Sequence, residues 1–277
     1  MENYTYNSLT LQLEGLNVST DSTYPVFLFL LFSYLFVIVA NVSIAAVILL
    51  DKSLHQPMYL LFCNLPLNDL LGNSILLPRL LLDMLRPRSE LFISYYECVV
   101  QAFTSHMFGT TAHTVGSCLV GNLLGLTLRL NRCRTLITNP YCDNASLFKL
   151  SCESVLINNI YGLTFTVVLF TGSIGSMVIT YTKITVVCLT SNSKSLNSKA
   201  LKTCSTHLVV YLIMLISGMC IIVLHRFPQY SDYRKIASIL FHIVPGTLNP
   251  IIYGIQSKET RTFLLKSFQS KTVWPSP

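Results

Sequence analysis

A carboxylate in the middle of a mainly apolar stretch is the first residue here with chemistry to offer. Asp69 sits inside Met58 to Leu82, whose long apolar runs read as a membrane span. A charge at that depth costs several kcal/mol unless it is paired or hydrated, so its default reading is functional, with a structural acceptor for neighbouring helices as the alternative. Asn41 stands at the centre of Tyr24 to Leu50, a stretch with no charged residue. Asn249, Pro250 and Tyr253 close a third apolar stretch that begins at Ile236. Pro250 removes a backbone N–H and kinks or loosens its helix. Asn249 and Tyr253 bring an amide and a hydroxyl that must find partners inside the protein. Cys98, Cys133, Cys142 and Cys152 lie at or in polar loops, where four cysteines allow three pairings. Asn3, Asn17 and Asn144 each open an Asn-x-Ser/Thr glycosylation sequon. No nucleophile–base pair and no metal-ligand cluster is legible, so neither enzymatic activity nor a cofactor is expected.

The elements that hold these groups are membrane helices. The chain is 52% hydrophobic and 11% charged, with a mean hydropathy of +0.56, against about 25% charged in an ordinary soluble domain. The net charge of +7 does not point to nucleic acid, because the basic residues flank apolar runs, as a membrane explains. Residues 1–23 are polar, carry Glu2, Glu14 and Asp21 and have no Lys or Arg. They read as an extracellular tail without a cleavable signal peptide. Spans are expected over 24–50, 58–82, 98–128, 154–182, 203–224 and 236–257, followed by a basic cytoplasmic tail over 258–277. The transmembrane bundle therefore covers 24–257.

Asn41, Asn68-Asp69-Leu70 and Asn249-Pro250-Ile251-Ile252-Tyr253 resemble the signature positions of rhodopsin-like G-protein-coupled receptors. Within that family, Leu54-His55-Gln56-Pro57-Met58-Tyr59 resembles the first inner loop of olfactory receptors. Thr180-Tyr181-Thr182-Lys183-Ile184 is similar to the end of their fifth helix. Lys199 to Leu208 resembles the start of their sixth helix, and Leu248 to Tyr253 resembles their seventh. The phrasing of Cys63 to Asp69 resembles fish odorant receptors. The resemblance implies an all-α, rhodopsin-like bundle in the plasma membrane. It also implies a small-molecule odorant, water-borne on the fish likeness, and a heterotrimeric G protein as partners. It places His106, Gly109, Thr110 and His113 of helix III, the region 164–171 of helix V, and Tyr211 and Leu215 of helix VI around the ligand. It implies disulfides Cys98–Cys142 and Cys133–Cys152, and a polar network of Asn41, Asp69, Asn249, Pro250 and Tyr253.

One region departs from the family. Phe108 to Val115 resembles the first part of helix III and Leu123 to Arg129 the last part of helix IV, joined directly through Gly116 to Asn122. The Asp-Arg-Tyr motif and the inner halves of both helices are missing, so weak G-protein coupling is expected. The rival class is a non-signalling receptor relic retained in the endoplasmic reticulum. A transporter ranks below both, since no repeated halves or paired broken helices are seen. Local sterics favour one continuous helix over 98–128, merging III and IV and giving six membrane helices. The stretch has no Pro, and each Gly costs only about 1 kcal/mol. That choice conflicts with topology, because six spans put the sequon-bearing N-terminus and the basic C-terminus on one side. The alternative is a re-entrant hairpin turning at Gly116 to Gly121.

Overall fold

The computed structural model describes residues 6–50, 64–110, 114–190 and 194–256. Its long helices are α1 (Thr20–Leu50), α2 (Asn64–Met84), α3 (Tyr95–Thr110), α4 (Thr114–Leu128), α6 (Leu156–Thr190), α7 (Lys194–Leu224) and α8 (Ser231–Gln256). A one-turn α5 (Asn144–Phe148) lies in the loop before α6. Neighbouring helices pack in the order α1, α2, α3, α4, α6, α7 and α8, and α8 closes the ring against α1. Among the described residues, four stretches are long and apolar enough to cross a membrane unaided: Thr20–Leu50, Leu156–Cys188, Ser205–Leu224 and Ser231–Ile252. The α2 helix carries Asp69, Arg79 and Asp83. It offsets them by pairing, Arg79 with Asp83 at 2.9 Å and Asp69 with Asn249.

The expected continuous helix over 98–128 is corrected by the structure. Gln101 and Thr127 would stand roughly 39 Å apart on one unbroken helix at ~1.5 Å per residue. Instead Gln101 Oε1 accepts from Cys142 N at 2.7 Å, and the Thr127 hydroxyl donates to Asn144 Oδ1 at 2.8 Å. Both ends therefore meet the same short loop, and α4 returns alongside α3. Tertiary burial outweighs the local preference: Tyr95, Cys98 and Ala102 of α3 share one core with Val120, Leu123 and Leu124 of α4. The two helices have 16 and 15 residues, below the ~20 that a crossing needs. The reversal is a hairpin, the alternative that the sequence left open, and it returns the chain to the end of the bundle where α3 begins.

The outer end is capped by a small sheet. β1 (Thr10–Leu13) pairs antiparallel with β2 (Phe92–Ser94) and parallel with β3 (Leu136–Ile137). Residues expected as a solvated tail thus form the central strand. Its alternation is the reason: Leu11 and Leu13 point into the core above the hairpin while Thr10 is exposed and Gln12 only partly covered. Glu14, just beyond the strand, reaches the fully buried Lys235 of α8 at 3.3 Å.

Candidate ligand cavity and polar network

The loop over 129–153 organises the outer half. Cys98–Cys142 ties it to α3 with a Cα separation of 5.2 Å, and Cys133–Cys152 closes the loop on itself at 5.4 Å. Both pairings are the ones that the family resemblance implies. On the opposite side α8 presents Arg234, Ser238 and His242 at i, i+4 and i+8, one inward stripe. Arg234 donates to Asn139 Oδ1 at 2.7 and 3.0 Å and to Thr138 O at 3.0 Å. Tyr141 donates to Ser238 Oγ at 2.7 Å. The Asp143 side chain accepts from Ser146 N at 2.6 Å and caps α5.

Beneath this roof lies a cavity of about 840 Å³, walled by α3, α4, α6, α7 and α8. That is the size range of small-molecule sites. His106, Tyr211 and Leu215 line it, and so do Phe165, Thr166, Leu169 and Phe170 of α6. Gly109 and Thr110 end α3; their side chains, and His113 altogether, lie outside the described residues. Ser173 Oγ and Tyr211 OH, 2.9 Å apart, bridge α6 and α7 across the cavity.

Several lining residues were not anticipated: Tyr141, Asp143, Lys149, His225 and His242. The first three could have been found from the disulfide, because fixing Cys142 beside α3 carries its chain neighbours over the bundle. Burial raises the Asp143 carboxyl, but the charge of His225, hydrogen bonds from Ser146 and the charge of His106 outweigh it and hold it below the usual carboxylate range. Burial lowers the His225 imidazole, aided by Lys149 and Arg234 and opposed by Asp143. Burial likewise lowers Lys149, with Arg234 and Arg226 adding to the effect and Asp143 opposing. Burial and the Asp143 charge push the Tyr141 phenol up. The walls below this charged rim are mainly apolar and aromatic.

Under the cavity sits the polar network. Asn249 Nδ2 donates to Asp69 Oδ2 at 2.9 Å. Asn41 Nδ2 donates to Val37 O and to Gly246 O, each at 2.9 Å, fastening α1 to α8 one turn before Pro250. Asn73 was not anticipated; its Nδ2 donates to Asp69 O at 2.9 Å and to His242 O at 3.1 Å, joining the network to the cavity wall. Pro250 is buried within α8, and Tyr253 lies in the same helix with its side chain outside the described residues.

The sequons separate. Asn17 is exposed next to α1. Asn144 is 3% exposed and bonded to Thr127, so the fold has no room for a glycan there, which corrects the expectation for that position. Asn3 lies outside the described residues.

The family profile described as olfactory receptor matches residues 30–123 and 109–271. The chain belongs to the olfactory receptor family. It is accordingly a multi-pass receptor of the plasma membrane and not an enzyme. Olfactory receptor 8G17 of Mus musculus is 26% identical over 295 residues, covering 93% of this chain and 96% of that receptor. Human olfactory receptor 52N5 is 29% identical over 278 residues, covering 85% of each. The first of these alignments is longer than the chain's own 277 residues, so the mouse receptor has positions that this one lacks. The two profile segments overlap over 109–123, at the α3–α4 hairpin. The crystal structure of squid rhodopsin shares the fold, with a TM-score of 0.54 at 13% identity over 93% of this chain and 88% of that one.

Proposed function

We propose that this protein is an odorant receptor that binds a small, largely apolar molecule in the outer cavity and couples weakly to a heterotrimeric G protein. The observation that carries the reading is the cavity itself. It is walled by α3, α4, α6, α7 and α8 and roofed by a loop fixed through Cys98–Cys142, Arg234 and Tyr141. The binding half needs only the outer parts of helices III and IV, which the hairpin supplies. Signalling needs a second arrangement of the helices that ligand can favour. The Asp69–Asn249 and Asn41–Gly246 bonds join α8 to α2 and α1, and together with Pro250 and Tyr253 they are the element that would rearrange.

One observation favours the rival reading, a receptor that reaches no G protein and stays in the endoplasmic reticulum: α3 and α4 are too short to bring an Asp-Arg-Tyr contact to the inner face. Cells expressing the full chain distinguish the two. Surface biotinylation reports export, and cyclic-nucleotide output across an odorant panel reports coupling. Export with an odorant response that Leu215→Trp abolishes supports the receptor. Intracellular retention with no response supports the relic.

A further inference from the structure

Given the ligand cavity just proposed, we infer that it contains a hydroxyl-reading subsite built from His242 of α8 and Ser105 of α3, and that its ligands are alcohols rather than ethers or esters of the same shape. His242 Nδ1 lies 2.8 Å from Ser238 O. A carbonyl oxygen can only accept, so Nδ1 carries the hydrogen and the neutral ring leaves Nε2 as a bare acceptor. Nε2 is buried and meets no hydrogen-bond donor among the described residues. Ser105 Oγ, from the α3 side of the same cavity, is also buried without a partner among the described residues. A single ligand hydroxyl reaching both would donate to Nε2 and accept from Ser105. An ether oxygen meets Nε2 lone pair to lone pair.

The acceptor is also held rigidly, as selective recognition requires. The imidazole stacks on Phe108 with ring centres 4.9 Å apart and planes at 14°. Phe241 and Tyr141 meet it edge-on at 5.5 and 6.2 Å. Phe108 lies one turn inward of Ser105 on α3, which puts the two halves of the subsite on adjoining surfaces. Two charged groups of the rim are already engaged. Asp143 already accepts from Ser146 and Asn139, and Lys149 donates to His225 O at 3.2 Å. His242 has a second connection: its backbone carbonyl accepts from Asn73, whose amide also holds Asp69 O. A ligand that loads Nε2 therefore pulls on the residue that links the cavity to the Asp69–Asn249 pair.

The test uses full-length protein in lipid nanodiscs and two isomers, octan-1-ol and heptyl methyl ether, which share length and atom content but differ in one donor. Octan-1-ol is expected to bind about tenfold tighter. His242→Phe keeps the stack on Phe108 and removes the acceptor, so it brings the ratio close to one while ether binding persists. Ser105→Ala leaves an intermediate ratio. Equal binding of the isomers to the wild type, or a ratio that survives His242→Phe, overturns the subsite and leaves the cavity reading standing. Failure of both isomers to bind overturns the two together. If His242→Phe does not fold, 15N-histidine NMR of the wild type decides: a single Nε2 resonance moves with the alcohol and not with the ether. No alcohol-specific movement overturns the inference.

Discussion

Replacing Gly72 by Ala should damage the receptor out of proportion to one methyl group. On α2, a Cβ at position 72 falls 2.5 Å from Phe108 Cγ and 2.7 Å from Cε2. Contacts that close force something to move. Phe108 has nowhere convenient to go: it is 1% exposed, stacked on His242 and edge-on to Phe241 at 5.8 Å. The backbone of α2 is equally held, because Asn73 beside it binds Asp69 O and His242 O. Overpacking of a core with no soft neighbour typically costs ~1–3 kcal/mol. The assay is thermal denaturation of detergent-solubilised protein for wild type, Gly72→Ala, Phe108→Leu and the double variant. Phe108→Leu alone destabilises by removing ring contacts. Combined with Gly72→Ala it makes room for the methyl, so the two costs should fall short of additive by about 1 kcal/mol. Gly72→Ala melting with the wild type, or strict additivity in the double variant, would refute the packing argument that seats His242.

Other outcomes follow from the outer half. Cys98→Ser or Cys142→Ser should each cut surface expression sharply, checked by flow cytometry, since losing such a bond costs ~2–5 kcal/mol in small domains. Asn17→Gln should remove a glycan in a glycosidase gel-shift assay, whereas Asn144→Gln should leave the pattern unchanged because that side chain is enclosed. Acidification should loosen the loop. With the His225 imidazole lowered from 6.5 by burial, the unfolded chain takes up its proton first, so stability falls as pH drops through that value. Asp143, held below 3.8, adds a further loss at lower pH as its carboxylate is protonated. His225→Asn should flatten the melting-temperature decline between about pH 7 and 5.

What the sequence disclosed and what it hid divide along physical lines. Spans announce themselves because hydrocarbon demands long uncharged runs, and α1, α6, α7 and α8 contain the apolar stretches read for them. Asp69 and Asn249 were conspicuous for the same reason: polar groups at that depth must meet, and they do. The α3–α4 reversal was hidden because nothing local compels it. Its helices lack proline, and what separates them is the shared core of Cys98, Ala102, Val120 and Leu123 under the disulfide, which no window of sequence contains. The strand Thr10–Leu13 did carry a signal, the alternation of Leu11 and Leu13 with polar neighbours, but so short a run in a polar segment gives no sign of the strands it pairs with. Arg234 and Ser238 looked like loop and span residues until α8 was seen to begin at Ser231, which aligns both with His242.

The hairpin of α3 and α4 is what carries one wall of the cavity and holds the roof loop in place. Spin labels at Tyr96 and Leu128, both exposed, measure this directly by pulsed electron resonance in nanodiscs. The hairpin places both labels at the outer end and predicts a distance well under half that of a continuous helix, which would hold them roughly 48 Å apart at ~1.5 Å per residue. A distribution centred near the longer distance would contradict the fold, the cavity roof and the function drawn from them.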